Sequence, residues 1–397
     1  MSESVDRVNA VVAGHICLDV IPTFGPRQES WQELFAPGRL VNVGPVVTAT
    51  GGAVSNTGLA LHRLGVKTEL IGKIGTDMFG SAILDILRHY DEALTRRMIT
   101  DASETTSYTI VISVPGIDRM FFHYTGANDG FGADDVPVES LAGGRIFHFG
   151  YPPAMRRMYL NEGRELVTLM QRVKAAGMTT SLDMAYPEPD SEAGRIDWAS
   201  ILARVLPYVD IILPSLEETL FMLDRPRFEA FIARGAPMEQ VDGALLHDLA
   251  GRLLDMGAAM AVLKLGDQGL YVRTTSEAAS LRLPGLPQVD DTWQSRELLA
   301  PCFKADVVGT TGAGDCTIAG FLAGLLKGLP IEDVMTGAVA VGGFNVESAD
   351  AVSGIPHWDT VQARIGAGWE RHEPTLSLDG WQWDAVKNIW VGPHDHA

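Results

Sequence analysis

The chain has 397 residues, of which 46% are hydrophobic and 20% are charged, a balance typical of a globular protein that buries a sizeable core. Its 50 acidic and 31 basic residues give a formal net charge of −19, which argues against nucleic acid or an anionic membrane as a partner. Three scattered cysteines exclude a disulfide framework, and the polar N-terminus and lack of a membrane-length apolar run predict a cytoplasmic protein.

Short apolar runs alternate with helical patterns along most of the chain. The runs that we predict to be buried strands are 9–13, 69–72, 146–149, 179–182, 210–213 and 261–265. Helical spacing lies between them, for example at 160–176, 243–256 and 315–327. This alternation predicts an α/β fold, a doubly wound and mostly parallel sheet with helices on both faces.

Two regions interrupt this rhythm. Residues 107–124 are predicted to form two β-rich runs joined by a turn at Pro115-Gly116, and residues 20–50 are poor in helical patterns. We therefore expect a small antiparallel sheet, a lid, formed by about 20–50 and 104–128. Residues 283–296 are predicted to be a loop or insertion, and residues 367–397 to be a C-terminal tail that packs on the body.

The segment 308–328, VGTTGAGDCTIAGFLAGLLKG, carries the strongest chemical signal. Gly312, Ala313 and Gly314 are predicted to lead into an apolar helix that has Asp315 in its first turn. Free N–H groups at a helix start attract anions, and a carboxylate beside them can deprotonate a hydroxyl that attacks a terminal phosphate. The alternative is that Asp315 only caps the helix. A Walker motif and a dinucleotide fingerprint are both missing, which disfavours a P-loop and an oxidoreductase.

A second glycine-rich segment spans residues 50–80. Gly51 and Gly52 lead into a short helix that contains Asn56 and is predicted to end at Leu64-Gly65, where glycine suits a helix C-terminus. Glycines beside an asparagine at a strand-to-helix junction offer amide hydrogen bonds to a polyol. Ordinary turn glycines and a capping asparagine are the alternative interpretation.

Together the two segments resemble the signature motifs of the ribokinase (PfkB) carbohydrate kinases. The first motif is matched by Gly51, Gly52, Asn56, Leu64, Gly65, Gly72, Gly75, Asp77, Phe79 and Gly80. The second is matched by Thr310, Thr311, Gly312, Ala313, Gly314 and Asp315. The likeness spans residues 8–366 and implies a ribokinase-like fold with a β lid, ATP and Mg²⁺ as cofactors, a sugar-like substrate, and a homodimer formed through the lid.

The resemblance also implies a role for particular residues. Asp315 would be the general base, and the N–H groups of Gly312, Ala313 and Gly314 would hold the transferring phosphoryl group. The sugar would be bound by Asp19, Gly51, Gly52 and Asn56. The nucleotide would be bound by Lys264, Gly266, Gly269, Thr311 and Asn345, and Glu218 would act in the magnesium region.

Two positions depart from the family pattern. Gly309 stands where these kinases usually have an aspartate that helps to bind a monovalent cation, so activation by such a cation is in doubt. Ser215 replaces the asparagine that usually precedes Glu218 by three residues, which predicts altered magnesium handling rather than its loss. These departures leave a non-catalytic sugar-binding or regulatory protein as an alternative.

Substrate choice is less closely defined. The GGAVSN run has no Lys or Arg, which favours an unphosphorylated sugar or sugar acid, with a nucleoside as a further alternative. Arg119 and His123 in the predicted lid, and Asp183 at a strand end, are candidate substrate contacts. His394 and His396 near the C-terminus are predicted to belong to a flexible tail rather than to a metal site.

Overall fold

A computed structural model of the protein describes residues 8–25, 34, 36–114, 120–141, 143–236, 238–286 and 289–396. The strands in these residues are β1 Ala10–Gly14, β2 Cys17–Pro22, β3 Val46–Gly51, β4 Thr68–Ile71, β5 Lys73–Gly75, β6 Ile99–Asp101, β7 Tyr108–Ile112, β8 Met120–Tyr124, β9 Ile146–Gly150, β10 Thr179–Asp183, β11 Ile211–Ile212, β12 Met260–Lys264, β13 Leu270–Thr274, β14 Glu297–Ala300, β15 Gln382–Asp384 and β16 Ile389–Val391. The α-helices are α1 Ala53–Arg63, α2 Met78–Tyr90, α3 Arg156–Ala175, α4 Trp198–Val205, α5 Leu216–Leu223, α6 Arg225–Ala233, α7 Gly243–Asp255, α8 Ala313–Leu326, α9 Ile331–Val346 and α10 Trp358–Gly366.

Within the described ranges, the main sheet has ten strands in the order β15-β16-β14-β13-β12-β11-β10-β9-β1-β4. Six neighbouring strands of this sheet are parallel to one another: β12, β11, β10, β9, β1 and β4. Beyond β12, the strands β13, β14, β16 and β15 are each antiparallel to the strand before them in the sheet. The prediction of a doubly wound, mostly parallel α/β sheet is confirmed.

Both faces of this sheet are buried, because successive side chains of each strand enter different cores. In β1, Ala10 and Val12 belong to the core that contains α8 and α9, whereas Val11 and Ala13 belong to the core that contains α3. The same alternation recurs in β12. A strand that is covered on both faces has no polar side, which explains why the predicted strands were continuous apolar runs.

A separate four-stranded sheet forms the predicted lid, in the order β3-β2-β7-β8. β2 pairs antiparallel with β3 and parallel with β7, and β7 pairs antiparallel with β8. The lid sheet is therefore mixed, and the prediction that it is antiparallel throughout was wrong at the β2–β7 pair. The predicted turn at Pro115-Gly116 lies outside the described residues. The lid is therefore drawn from two distant parts of the chain, and it follows directly from β1, which ends only three residues before β2 begins.

The C-terminal segment is part of the main sheet. β16 pairs with β14 through Leu298–Val391 and Leu299–Trp390, and β15 forms the outer strand. Trp381 is 8% exposed and belongs to the same core as Tyr271 of β13. β14 begins directly after the predicted loop or insertion at 283–296. The tail thus covers an edge of the sheet that would otherwise present unpaired backbone groups.

The parallel strands bring several polar residues to one edge. β1, β9, β10 and β12 point the same way, so the residues at or just after their carboxyl ends lie along the same side of the sheet. These residues include His15, Tyr151, Asp183 and Lys264. In open α/β sheets this edge is where ligands bind. None of the helices in the described ranges has the length and apolar character needed to cross a membrane.

Candidate active site

The glycine-rich loop enters helix α8 as the sequence predicted. Gly312 adopts the left-handed conformation (φ 73°), and a Cβ atom there would lie 2.7 Å from the Ala351 side chain. Helix α8 begins at Ala313, with Asp315 in its first turn and no side-chain cap. The first N–H groups of a helix have no acceptor within the helix. In α8, the Ala313 N–H donates to the Thr310 carbonyl of the preceding loop at 3.3 Å.

Asp315 is buried, and its carboxylate is held from two other parts of the chain. Asn56 of α1 donates its amide N–H to Oδ2 at 2.9 Å, and the Thr57 hydroxyl lies 3.4 Å from Oδ1. The Tyr151 hydroxyl donates to the same carboxylate, at 2.9 Å from Oδ1 and 2.8 Å from Oδ2. Burial raises the pKa of Asp315, and the hydrogen bond from Asn56 opposes this rise. A raised pKa makes the carboxylate a better proton acceptor.

Tyr151 was not among the residues predicted from the sequence. It follows β9 in a left-handed conformation (φ 67°, ψ 45°), which is uncommon for an aromatic residue. Burial, together with the charge of Asp315, raises the pKa of Tyr151 well above its usual value, so the phenol stays a proton donor. Its place after a parallel strand was the one available signal, because carboxyl strand ends line the ligand crevice.

Lys264 and Asp183 form an ion pair below the loop. The Lys264 ammonium lies 2.5 Å from Asp183 Oδ1, and the two side chains are 13% and 1% exposed. Burial raises the pKa of Asp183, whereas the ammonium of Lys264 lowers it. For Lys264, burial lowers the pKa, but the charges of Asp183, Glu218 and Asp315 together raise it above its usual value. The raised pKa of Asp183 favours a protonated, neutral carboxyl, whereas the raised pKa of Lys264 favours a charged ammonium. Because the contact between the two groups is short, we assign them as a charged pair, with the proton on Lys264.

Glu218 lies near Lys264 at the start of α5. Its carboxylate accepts from the Ser215 backbone N–H at 2.6 Å, and the Ser215 hydroxyl accepts from the Glu218 N–H at 3.1 Å. This reciprocal capping arrangement explains why serine is accepted at the departure noted above. Burial raises the pKa of Glu218, and the Lys264 ammonium opposes the rise.

A cleft of about 480 Å³ opens in front of the loop. Its walls come from the α8 loop, the turn after β12, the start of α5 and helix α9, and its lining includes Glu218, Lys264, Gly266, Gly269, Phe303, Gly312, Gly314, Asp315, Val339, Gly343 and His372. Thr311 and Asn345 do not line it. Asn345 is buried and donates its amide to the Thr311 and Ala351 carbonyls, which holds the loop against the end of α9.

The predicted sugar-binding residues lie on the other side of Asp315. Asp19 of β2 is half-buried beside Gly51, where a Cβ atom would lie 2.5 Å from the Asp19 carboxylate. Gly52 has φ 86°, and a Cβ atom there would lie 2.5 Å from His15 Nδ1. Only glycines fit here, because the lid strand and the first turn approach α1 this closely. Asn56 joins this side to Asp315.

The structure therefore brings most of the predicted site residues to one edge of the sheet. Arg119 lies outside the described residues. His123 of the lid reaches inward, with its Nε2 3.2 Å from His15 Nε2. His394 lies elsewhere, next to His247 and the buried Glu297 at the tail. Thr57 and Tyr151 are the contacts to the proposed base that the sequence did not predict.

Comparison with known families gives one match that covers most of the chain. Residues 9–358 match the family described as pfkB family carbohydrate kinase. Among curated relatives, the chain is 23% identical to an ATP-dependent 6-phosphofructokinase of Thermoanaerobacterium thermosaccharolyticum, over 79% of this chain and 84% of the relative. It is 24% identical to a 2-dehydro-3-deoxygluconokinase of Bacillus subtilis, over 90% of this chain and 98% of the relative.

Solved structures agree on the fold. An Arabidopsis thaliana ribokinase, determined in complex with ribose and ATP, superposes with a TM-score of 0.66 at 18% identity, covering 90% of this chain and 98% of the ribokinase. The likeness includes the large mostly parallel sheet and the small four-stranded lid, which is the ribokinase-like arrangement.

Proposed function

The chain belongs to the pfkB family of carbohydrate kinases, and on that basis we propose that it transfers the γ-phosphoryl group of ATP to a hydroxyl of a small unphosphorylated sugar or sugar acid. Asp315 is the general base of this reaction. The observation that carries the proposal is the position of its buried carboxylate, at the start of α8, between the cleft and the residues around Asp19. The acceptor hydroxyl we propose is a primary one.

In the proposed reaction, Asp315 takes the proton of the acceptor hydroxyl. The acceptor oxygen then bonds to the γ-phosphorus, the bond from this phosphorus to the bridging oxygen breaks, and ADP leaves. The N–H groups of Gly312, Ala313 and Gly314 stabilise the transferring phosphoryl group, since these three residues line the cleft at a helix start. Lys264 lies beside Gly314 and adds a positive charge.

Magnesium fits the acidic side of the cleft. Glu218 lines the cleft, and Asp183 Oδ2 is buried without a hydrogen-bond partner among the described residues. Carboxylate oxygens are the protein ligands that Mg²⁺ prefers, usually with retained waters. We propose that Glu218 holds the ion through a water molecule. When bound, the ion neutralises charge on the phosphates of ATP.

The choice of an unphosphorylated acceptor rests on the surroundings of Asp19. Its neighbours include the side chains of Cys17 and Thr109 and the backbone of Gly51, and none of these supplies the positive charge that a phosphorylated sugar would need. Burial raises the pKa of Asp19 to about 6. A carboxylate in this position can accept hydrogen bonds from sugar hydroxyls but would repel a phosphate.

The proposal is tested by measuring ADP release from ATP and Mg²⁺ over a panel of sugars, sugar acids, nucleosides and fructose 6-phosphate. We expect turnover with an unphosphorylated acceptor, and we expect Asp315→Asn to reduce kcat by about 10²–10⁴-fold with little change in acceptor binding. Asp379→Asn, an exposed position in the tail, is the matched control. Preference for fructose 6-phosphate, or near-full activity of Asp315→Asn, would contradict the proposal.

We also propose that the lid mediates a homodimer. It exposes a set of large apolar side chains, which are Val46, Val47, Met120, Phe121, Phe122 and Tyr124. Apolar residues grouped in this way on a surface mark contact sites between proteins. Sedimentation should show a dimer that Phe122→Lys converts to a monomer, and a monomeric wild-type protein would contradict the proposal.

A further inference from the structure

One row of side chains crosses the inner face of the lid towards the body. Asp19 of β2 pairs with Thr109 of β7, and Thr109 pairs with His123 of β8. Cys17 precedes Asp19 by two residues and therefore lies on the same face of β2. Its thiol is 3.5 Å from both Asp19 Oδ1 and the Thr109 hydroxyl. His15 reaches this row from the turn after β1.

One imidazole of this group, that of His123, is arranged as metal-binding histidines usually are. Thr109 lies 3.0 Å from His123 Nδ1, so a proton on Nδ1 leaves Nε2 with a free lone pair. This Nε2 faces His15 Nε2 at 3.2 Å. His15 is 4% exposed, and its Nδ1 has no partner within the described ranges.

The spacing of these atoms matches the edges of a tetrahedral site. Bonds of 2.0–2.1 Å from zinc to nitrogen and about 2.3 Å to sulfur imply ligand-to-ligand edges of roughly 3.3–3.6 Å. The contact between the Nε2 atoms of His15 and His123, at 3.2 Å, is close to these values. His15, Cys17 and His123 each present a ligand atom within 4.8 Å of the others.

We propose that His15, Cys17 and His123 bind a transition-metal ion of the Zn²⁺ class, with water as the fourth ligand. A bound ion joins the lid strand β8 to the turn that leaves the main sheet. The ion also occupies the space between Asp19 and His15. If the acceptor binds beside Asp19, as the proposed function states, zinc competes with the acceptor and inhibits the reaction.

The site is tested first without any enzymatic reaction. The metal-free full-length protein is titrated with Co²⁺ in the absence of nucleotide and acceptor. We expect one equivalent to produce a thiolate-to-cobalt charge-transfer band in the near ultraviolet. Cys17→Ser should abolish this band, and His123→Asn should weaken Co²⁺ binding by at least about tenfold.

Two matched variants separate this site from the other groups of ligands. Cys302→Ser changes the cysteine that lines the nucleotide cleft, and His394→Ala changes the second group of possible ligands, His247, Glu297 and His394. Both should keep the band. A missing band in the wild type, or one that is lost in Cys302→Ser but kept in Cys17→Ser, would overturn the proposal.

Inhibition is measured separately, with buffered Zn²⁺ in the ADP-release assay. We expect Zn²⁺ to raise the KM for the acceptor and leave kcat unchanged, and we expect Cys17→Ser to be insensitive. If Zn²⁺ inhibits Cys17→Ser equally, the ion does not act from this site. If no acceptor is turned over, the proposed kinase reaction fails, whereas the cobalt spectrum still decides the metal site.

Discussion

The hydroxyl of Tyr151 donates to both carboxylate oxygens of Asp315, at 2.9 and 2.8 Å. The donor belongs to the turn after β9 and the acceptor to the first turn of α8, so the contact joins two elements at the edge of the sheet. A hydroxyl that stabilises the ionised carboxylate lowers its pKa and fixes its orientation. Tyr151 is thus a positioning residue for the proposed base.

Replacement of Tyr151 by phenylalanine should change the pH dependence of turnover. Burial raises the pKa of Asp315, so activity falls as the pH drops through that value. Loss of the Tyr151 donor raises this pKa further, so the acid limb of the kcat profile moves to higher pH. A hydrogen bond to a charged group is worth about 1.5–3 kcal/mol, which corresponds to a move of roughly one to two pH units.

The control for this prediction is Tyr159→Phe, because its hydroxyl lies 3.5 Å from Glu192, away from Asp315. Its pH profile should match that of the wild type. An acid limb in Tyr151→Phe that stays in place or moves to lower pH would show that the phenol does not stabilise the carboxylate.

Removal of the Lys264 charge should destabilise the fold as well as weaken ATP binding. Lys264→Met leaves the buried carboxylate of Asp183 without its ion-pair partner, which costs about 3–5 kcal/mol in the free energy of unfolding. Urea unfolding measures this cost. The double variant Lys264→Met with Asp183→Asn removes both charges and should recover part of the lost stability.

The exposed pair Lys304–Glu370 is the comparison, because both side chains are largely in solvent. Lys304→Met should change the unfolding free energy little. Equal losses in Lys264→Met and Lys304→Met would mean that the buried pair contributes no more than a surface pair.

Glu218→Gln should raise the Mg²⁺ concentration needed for half-maximal activity by about tenfold. Glutamine can still accept from the Ser215 N–H, so the helix cap and the melting temperature should be preserved. The measurement is ADP release over a Mg²⁺ titration at saturating ATP. An unchanged Mg²⁺ requirement would remove Glu218 from the magnesium region.

The tail should contribute to the stability of the whole domain. Trp381 is buried against Tyr271, with ring centroids 6.0 Å apart, and Trp381→Ala leaves a cavity that costs about 3–5 kcal/mol. Trp383→Ala, at a position that is 41% exposed, should cost much less. If chemical denaturation shows similar stabilities for the two variants, the tail is not part of the cooperative fold.

Local patterns in the sequence predicted the elements that carry the proposed chemistry. The run of small residues before Asp315 predicted the loop and the first turn of α8, and the apolar runs predicted the parallel strands. These features depend on neighbouring residues, because helix starts and buried strands are determined by local backbone preference and apolar spacing. The kinase family followed from the resemblance of the two motifs to the signatures of the ribokinase (PfkB) family.

The partners of these residues were decided only by the tertiary structure. Tyr151 lies 164 positions from Asp315, and His15 lies 108 positions from His123. Residues 382–391 were predicted to belong to a tail, yet they form β15 and β16, and β16 pairs with β14 in the main sheet. Contacts between residues so far apart in the sequence cannot be predicted from the local spacing of residue types. They form where parallel strands end at the same edge and where the chain returns to an open sheet edge.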